Sequence, residues 1–322
     1  MKVLITGCCG FIGYNLCLKL LKKKNIRIYG IDNLNSYYDI NLKKKRLSIL
    51  KTSKNFTFNK IDISKYNNLK KFFKKNKYDI VINLAAQAGV RYSIKNPSNY
   101  FESNVIGFFN VLELSRIFKI KHFIFASTSS VYGNSNKFPL KEEQKTEKPL
   151  SFYAASKKTN EILAYSYSNI YKLPCTGLRF FTVYGPYGRP DMALYLFTKA
   201  IFNSKKVNLF NNGNHVRDYT YIDDVVNSVE KIITKKPDGA VPYSIYNVAS
   251  SRPKKLKEFL KNIEKTIGKR AKINYLDMQQ GDVYKTHGST NKLINKIKYR
   301  PKMKLSEGIK RFVEWYKKYH NI

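Results

Sequence analysis

Apolar positions follow two different rhythms in the first half of the chain. Short runs rich in Val, Ile and Phe carry no polar alternation, which is typical of strands buried on both faces of a parallel sheet. Longer segments between them repeat apolar residues every three or four positions, which indicates amphipathic helices. The predicted strands cover residues 2–6, 26–31, 56–61, 79–84, 122–126 and 175–180, and the predicted helices cover residues 11–23, 65–75, 100–118 and 151–171.

This alternation predicts an α/β fold with a doubly wound parallel Rossmann sheet, whose ligand lies at the carboxyl ends of the strands. After Tyr184 the pattern loosens into a loop rich in glycine and proline, followed by short helices and strands. We therefore expect an NAD-binding domain over residues 1–184 and a smaller mixed α/β lobe that caps the substrate over residues 185–322. A segment near residues 214–248 is predicted to return to the first domain.

Three glycines separate the first strand from the first helix. They permit a tight turn, close approach of backbone to a pyrophosphate, and close packing of helix on strand. The helix N-terminus adds free N–H groups and the positive end of its dipole. Such a run alone is a weak signal, but its place between a strand and a helix predicts a dinucleotide site. The residues expected to contact the cofactor there are Gly7, Gly10, Phe11, Ile12 and Gly13.

An acidic residue, Asp32, follows the second predicted strand and precedes Asn33. A carboxylate at this point of a dinucleotide fold accepts hydrogen bonds from the adenosine ribose and repels a 2′-phosphate. The alternative is an aspartate that only caps the turn before Asn33. Because the glycines lie upstream, we expect Asp32 and Asn33 to bind the ribose and the cofactor to be NAD rather than NADP.

Two more strand ends carry candidates for the same ligand. Asp62 and Ile63 follow the third strand and are expected at the adenine edge, although a helix N-cap explains Asp62 nearly as well. Leu84, Ala85 and Ala86 follow the fourth strand, where small residues let the backbone approach a cofactor.

A phenol and an ammonium four residues apart, Tyr153 and Lys157, share one face of a predicted helix. Tyrosine has an unperturbed pKa of about 10, and a nearby cation lowers it, so that the phenolate can accept a proton from an alcohol that gives up hydride. Such a pair recurs by chance, and only the dinucleotide motif makes it specific. Hydroxyls at the preceding strand end either hold the substrate or cap their own loop; they belong to Ser127, Thr128, Ser129 and Ser130.

The formal net charge of +38 is compatible with an acidic partner of any kind. The lysines are spread along the whole chain, however, which favours a solvated surface over a nucleic-acid site. The four cysteines show neither metal-ligand spacing nor a disulfide framework. With no signal-peptide pattern and no long apolar stretch, the sequence predicts a cytoplasmic protein without metal, membrane or nucleic-acid partners.

These motifs together resemble those of the extended short-chain dehydrogenases/reductases that act on nucleotide sugars. The resemblance completes a catalytic set of Thr128, Tyr153 and Lys157, and it places Asn104, from an Asn-x-x-Gly helix, beside the cofactor. It further implies that Arg217 contacts a diphosphate and that Asp282 holds the uridine ribose.

The strand end at Ser129 and Ser130 distinguishes members of this family. The family's 4,6-dehydratases carry an Asp-Glu pair there, and its UDP-glucuronate decarboxylases carry a glutamate in place of Ser130. Without that acid, the resemblance implies epimerisation through a 4-keto sugar. Galactose-type epimerases usually have Asn at the position of Thr182, whereas the Thr and the following Gly-Pro-Tyr-Gly-Arg-Pro-Asp-Met-Ala are similar to UDP-glucuronate 4-epimerases.

That likeness extends to residues 35–39, 87–91 and 280–285 and assigns further roles. Ser127, Ser129, Ser130 and Thr182 are expected to surround the C6 carboxylate of the sugar. Arg189 and Arg91 are expected to face the anionic ligand, because guanidinium donors form a fixed fork that suits carboxylate and phosphate.

The resemblance therefore implies a NAD-dependent isomerase that interconverts UDP-glucuronate and UDP-galacturonate. A 4-epimerase of UDP-glucose or UDP-N-acetylglucosamine is the nearest alternative, and a UDP-glucuronate decarboxylase a more distant one. A catalytically inactive NAD-binding regulator and a basic nucleic-acid-binding protein are also open. The resemblance implies a homodimer formed by the predicted helices at residues 100–118 and 151–171.

Overall fold

Strands and helices alternate along most of the chain. The computed structural model describes residues 1–279 and 281–322, so Gln280 of the quoted 280–285 segment lies outside the described residues. The strands are β1 (Lys2–Thr6), β2 (Arg27–Asp32), β3 (Phe56–Lys60), β4 (Ile80–Asn83), β5 (His122–Thr128), β6 (Cys175–Phe180), β7 (Thr182–Tyr184), β8 (Lys206–Phe210), β9 (Val216–Arg217), β10 (Tyr219–Tyr221), β11 (Tyr243–Val248), β12 (Lys254–Lys255) and β13 (Lys272–Leu276). The α-helices are α1 (Phe11–Leu21), α2 (Ile40–Leu50), α3 (Tyr66–Lys75), α4 (Val90–Lys95), α5 (Pro97–Tyr100), α6 (Gly107–Ile117), α7 (Phe152–Tyr171), α8 (Ala193–Phe202), α9 (Ile222–Ile232), α10 (Leu256–Ile267), α11 (Asn291–Ile297) and α12 (Leu305–His320).

A seven-stranded parallel sheet forms the centre of the molecule. Its strand order is β11-β6-β5-β4-β1-β2-β3, and every neighbouring pair in it is parallel. The chain proceeds from β1 to one side through β2 and β3, then crosses to the other side at β4. The predicted doubly wound α/β fold is confirmed, and the reversal between β1 and β4 creates the crevice in which such folds bind ligands.

Both faces of this sheet are buried, as the unbroken apolar runs predict. Val3 and Ile5 of β1 belong to the hydrophobic cluster on one face, and Leu4 belongs to the cluster on the other. The alternation follows from the two-residue period of a strand. Helices must therefore cover both faces, which explains why the strands show no polar alternation.

The chain beyond residue 185 contributes both to the central sheet with its helices and to the smaller strand pairs outside it. Helix α9 packs on α1, with Lys23 Nζ 2.8 Å from a carboxylate oxygen of Glu230, and β11 extends the central sheet beside β6. The remaining strands form three small pairs, namely β7 with β10, β9 with β12, and β8 with β13. The division into domains at residues 184 and 185 stays a prediction.

Two local features differ from the sequence prediction. Helix α2 is missing from that prediction, because its buried face includes the charged residues Lys43 and Arg46 and so shows no apolar stripe. The predicted helix at 100–118 is interrupted, since a π-helical turn spans Phe101–Ile106 before α6 begins. Within residues 1–279 and 281–322, no helix has the length and apolar character needed to cross a bilayer.

Candidate active site

The glycine-rich turn lies at the carboxyl end of β1, where the chain reverses into α1. Gly7 has φ +70°, and a Cβ atom there would lie 2.7 Å from the backbone nitrogen of Ala85. A Cβ atom at Gly13 would lie 2.1 Å from the carbonyl oxygen of Gly7. Only glycine fits these positions, because a side chain would separate the turn from α1 and from the end of β4.

The acceptor predicted for the adenosine ribose lies beside this turn. Asp32 accepts hydrogen bonds from the backbone N–H of Cys9 at 3.0 Å and of Leu34 at 2.8 Å. Burial raises the pKa of Asp32, and these two donors together with the nearby Lys43 oppose the rise. Each carboxylate oxygen uses one protein donor and retains lone-pair capacity for a ribose hydroxyl.

The other predicted cofactor residues are held by local hydrogen bonds. Asp62 accepts from the side-chain amide of Asn33 at 2.9 Å and from the backbone N–H of Ser64 at 2.9 Å. Ile63 is buried, and its carbonyl oxygen accepts from Asn110. Asp62 thus stabilises the turn before α3, but it is not the N-cap of that helix, because Lys65 occupies the N-cap position. A contact of Asp62 and Ile63 with adenine stays a prediction.

Asn104 lies in the π-helical turn and is fully buried. Its side-chain oxygen accepts from the backbone N–H of Gln87 at 2.7 Å. Its side-chain nitrogen donates to the Gln87 carbonyl oxygen at 3.0 Å and to the Ser156 hydroxyl at 3.0 Å. It therefore fastens the segment after β4 to α7. Leu84, Ala85 and Ala86 belong to the same segment, which runs past Gly7 and Thr6.

The predicted catalytic residues converge at the carboxyl end of β5. Thr128 ends this strand, and its hydroxyl donates to the Ser130 hydroxyl at 3.2 Å. It also lies near enough to the phenol of Tyr153 to lower the pKa of that phenol. Lys157 lies one helical turn further along α7, is 3 % exposed, and donates from Nζ to the carbonyl oxygen of Ala126 at 3.0 Å. The structure therefore brings Thr128, Tyr153 and Lys157 together.

The electrostatics of this group differ from the sequence argument. Burial raises the pKa of Tyr153, while the Thr128 hydroxyl and the positive charge of Arg189 lower it in part. Burial also lowers the pKa of Lys157 to about 8. The cation that lowers the pKa of the phenol in this structure is Arg189, and the same effect expected of Lys157 stays a prediction.

Arg189 is anchored by residues that the sequence does not single out. Its guanidinium donates to both carboxylate oxygens of Asp191, and the phenol of Tyr37 donates to the same carboxylate at 3.0 Å. Burial raises the pKa of Asp191, but Arg189 and Tyr37 outweigh this and hold it below its usual value. These contacts join the segment after β2 to the loop after β7, and only the folded chain reveals them.

The hydroxyl side chains expected at the sugar carboxylate differ in their exposure. Ser129 and Ser130 lie partly exposed in a 3₁₀ turn after Thr128, and Thr182 begins β7. Ser127, in contrast, is 3 % exposed and donates its hydroxyl proton to Glu161 at 2.6 Å. Its contact with a substrate carboxylate, like those of the other three, stays a prediction.

Three predicted substrate residues gather at a more exposed place. Arg91 lies 3.3 Å from Asp282, and its guanidinium is 4.5 Å from the centre of the Phe210 ring. The pKa of Arg217 responds to both charges: burial lowers it, Asp282 opposes that and Arg91 adds to it. A cation pair with an acid and an aromatic ring is a fitting set for a nucleoside diphosphate.

The arrangement combines two functions at the carboxyl ends of the strands, namely dinucleotide binding and proton transfer. The glycine turn, α1 and Asp32 suit a dinucleotide, since a Cβ atom at Gly7 or Gly13 would fill the space at the turn. Thr128 and Tyr153 can move a proton to or from an alcohol. In the described residues, no cluster of His, Cys, Asp or Glu is suited to a metal ion. The fold and the site define the class of dinucleotide-dependent enzymes with a Ser/Thr, Tyr and Lys catalytic set.

Comparison with known proteins places the chain within that class. The family model described as GDP-mannose 4,6 dehydratase matches residues 4–312, and the chain belongs to this family of extended short-chain dehydrogenases/reductases. Protein CapI of Staphylococcus aureus is 46% identical over 334 residues, covering 99% of both chains. UDP-glucuronate 4-epimerase of Thermodesulfobacterium geofontis is 42% identical over 315 residues, covering 98% of this chain and 95% of its own.

A solved structure agrees with these relatives. The UDP-glucuronic acid 4-epimerase of Bacillus cereus, in complex with UDP-glucuronic acid and NAD, superimposes with a TM-score of 0.93 at 32% identity. The match covers 99% of this chain and 100% of that one. The predicted family is confirmed over nearly the whole length of the chain.

Proposed function

We propose that this chain is a NAD-dependent isomerase that interconverts UDP-glucuronate and UDP-galacturonate. The observation that carries the proposal is the environment of the Tyr153 phenol, which has the hydroxyl of Thr128 and the cation of Arg189 nearby. The strand end beside it offers Ser129 and Ser130 where dehydratases and decarboxylases of the family carry an acid. The similar epimerases of Thermodesulfobacterium geofontis and Bacillus cereus support the same assignment.

The mechanism assigns one task to each residue. Tyr153 accepts the proton of the sugar 4-hydroxyl, with Thr128 bridging, and returns it when the 4-keto group is reduced. Bound NAD supplies a reversible hydride acceptor for C4 of the sugar. Lys157, fixed to Ala126, keeps a positive charge beside the phenol. Between the two steps the keto sugar turns over within the site, so that it presents its other face.

The carboxylate of the substrate must be held in one orientation during the reaction. A 4-keto sugar acid is a β-keto acid and loses CO₂ when its C–C bond aligns with the carbonyl. Arg189, Ser129, Ser130 and Thr182 are the donors we assign to that carboxylate. Arg189 remains a cation because Asp191 stabilises its charge, and Asp191 fixes its direction. Donors on several sides hold the carboxylate in one orientation and so favour epimerisation over decarboxylation.

The experiment is turnover of UDP-glucuronate by the purified protein without added NAD, followed by NMR of the sugar nucleotides. We expect UDP-galacturonate to form, because a cofactor that must return its hydride stays bound. Tyr153→Phe should abolish the reaction while leaving the NAD content unchanged. Formation of UDP-xylose would indicate a decarboxylase. Conversion of only UDP-glucose or UDP-N-acetylglucosamine would contradict the carboxylate assignment.

A homodimer completes the proposal. Exposed apolar side chains cluster on adjoining faces of α6 and α7, including Phe109 at 41 % exposure, Ile162 at 59 % and Tyr165 at 51 %. The Phe109 ring lies 6.3 Å from that of Tyr167, so the two faces form one surface. Monomeric proteins rarely expose apolar patches of this kind, and we assign it to a second copy of the chain.

The remaining assignments concern location and other partners. We propose that the enzyme works in the cytoplasm, because Cys8, Cys9, Cys17 and Cys175 are free thiols, as in a reducing compartment. We assign it a UDP-sugar as ligand and neither membrane nor nucleic acid, since its lysines are dispersed along the sequence rather than concentrated in one segment.

A further inference from the structure

A buried ion pair lies beneath the catalytic strand end. Arg179 of β6 donates from Nε and Nη2 to the two carboxylate oxygens of Glu161, at 2.8 and 2.9 Å. The two side chains are only 4 % and 3 % exposed. A bidentate pair in such a site has one geometry, because its planar groups are shielded from water and fixed by two parallel bonds.

This pair is tied to the residue that precedes Thr128. The hydroxyl of Ser127 donates to Glu161 at 2.6 Å. One residue earlier, the carbonyl oxygen of Ala126 accepts from Lys157 at 3.0 Å. Strand β5 is therefore bonded to α7 at two consecutive residues directly before Thr128. Glu161, Lys157 and Tyr153 are spaced four apart, so they share one face of that helix.

The network continues beyond Thr128 into the 3₁₀ turn. Arg179 Nη1 donates to the phenol oxygen of Tyr132 at 2.9 Å, and this phenol donates to Asn247 at 2.7 Å. The guanidinium also lies 4.8 Å from the centre of the Tyr132 ring. The segment between Ser127 and Tyr132, which carries the four predicted hydroxyls of this strand end, is thus held at both ends by Arg179 and Glu161.

We propose that Ser127, Glu161 and Arg179 are positioning residues that fix the Thr128 hydroxyl against the Tyr153 phenol. The inference rests on the proposed reaction, in which these two hydroxyls exchange the proton of the substrate. Ser127 acts through Glu161 rather than by touching the sugar. Displacement of a reacting group by about 1 Å can lower a rate by roughly 100-fold. A loosened strand end should therefore reduce kcat, while Arg189 and Thr182, which lie outside this segment, maintain substrate binding.

A direct role for Ser127 at the sugar carboxylate makes the opposite prediction. If its hydroxyl bound that carboxylate, its removal would raise KM for UDP-glucuronate and would leave conversion of a neutral UDP-hexose unchanged. A positioning role lowers kcat for any 4-hydroxy sugar that the enzyme converts, because Thr128 and Tyr153 act on the 4-hydroxyl in every case.

The test is Ser127→Ala in the full-length holoenzyme. This variant keeps Glu161 paired with Arg179, so no charge is buried alone and the fold is expected to persist. We expect kcat to fall about tenfold with KM changed less than about twofold. Ser168→Ala is the matched control, since Ser168 is a buried serine of the same helix whose hydroxyl donates to the Leu173 carbonyl, away from the site. It should retain wild-type kcat.

A double-mutant cycle then shows whether Ser127 acts through Thr128. In a Thr128→Val background, Ser127→Ala should cost less than about twofold, because the hydroxyl that it positions is gone. An undiminished loss in that background, a selective rise in KM, or wild-type kcat in Ser127→Ala alone would each overturn the inference.

The inference can fail separately from the proposed function. Wild-type turnover is measured first with UDP-glucuronate and with UDP-glucose. If only UDP-glucose is converted, the proposed substrate is rejected, and the same cycle on UDP-glucose still decides the positioning role. If UDP-glucuronate is converted and the losses of kcat in Ser127→Ala and Thr128→Val are additive, the proposed epimerase activity is supported and the positioning role is rejected.

Discussion

Lys157 should destabilise the fold at neutral pH while serving the reaction. Burial lowers its pKa from 10.5 to about 8, a difference that corresponds to roughly 3 kcal/mol. The folded state therefore binds fewer protons than the unfolded state between these pH values, so stability rises with pH through that window and the full penalty applies below about pH 8. The Lys157→Met variant also loses the hydrogen bond to the Ala126 carbonyl oxygen, which costs about 1 kcal/mol of stability. We expect Lys157→Met to gain about 2 kcal/mol at pH 7.

The assay is thermal unfolding of nucleotide-free protein at pH 7 and at pH 9.5. For a chain of this size the gain corresponds to a rise in midpoint of roughly 3 °C at pH 7, and it should shrink at pH 9.5 as the wild-type lysine loses its proton. Lys71→Met is the control, because Lys71 lies exposed on α3 and should show neither effect. A variant that is less stable than wild type at pH 7, or a gain that does not vary with pH, would refute the reasoning.

Three further predictions concern the substrate carboxylate, the cofactor turn and the dimer. Tyr37→Phe removes the bond to Asp191, which fixes the direction of Arg189, and we expect KM for UDP-glucuronate to rise by about threefold to tenfold, measured by steady-state kinetics; an unchanged KM would exclude a role of Tyr37 in holding Arg189. Gly7→Ala places a Cβ atom 2.7 Å from the Ala85 nitrogen, so NAD binding measured by calorimetry should be lost; retained binding would contradict the close-approach argument. Ile162→Glu should give monomers in light scattering, while Leu196→Glu, an equally apolar exposed site on α8, should not.

Local sequence pattern was sufficient for six of the seven strands of the central sheet, whereas β11 was expected only as part of a segment near residues 214–248 that returns to the first domain. The apolar runs around Val3, Val81 and Phe123 are buried on both faces. Strands of this kind are stable only in the interior of a sheet that helices cover on both sides. The glycine-rich turn was also predictable from local sequence, because Gly7 and Gly13 meet a steric requirement set by neighbouring backbone. The Thr128, Tyr153 and Lys157 set also follows a short spacing on one strand end and one helix face.

Contacts between distant segments could not be predicted in this way. Helix α2 escaped detection because Arg46, fully buried, bonds the carbonyl oxygens of Cys9 and Tyr187 rather than facing water. The pairing of Tyr37 with Asp191 spans 154 residues. Glu161 resembles an ordinary helix acid in the sequence, and only the fold places Arg179 of β6 against it. Periodicity reports which side of an element is buried, and it does not report which charges meet there.

In the proposed reaction, hydride leaves C4 of UDP-glucuronate and returns to the same carbon. This is tested with UDP-glucuronate deuterated at C4 in ordinary water and with unlabelled UDP-glucuronate in deuterium oxide, with NMR of both products. We expect UDP-galacturonate that retains deuterium at C4 in the first reaction and takes up no deuterium at C5 in the second. Loss of the C4 label to solvent, or exchange at C5, would show that the stereocentre inverts by another route and would contradict the roles assigned to Tyr153 and Thr128.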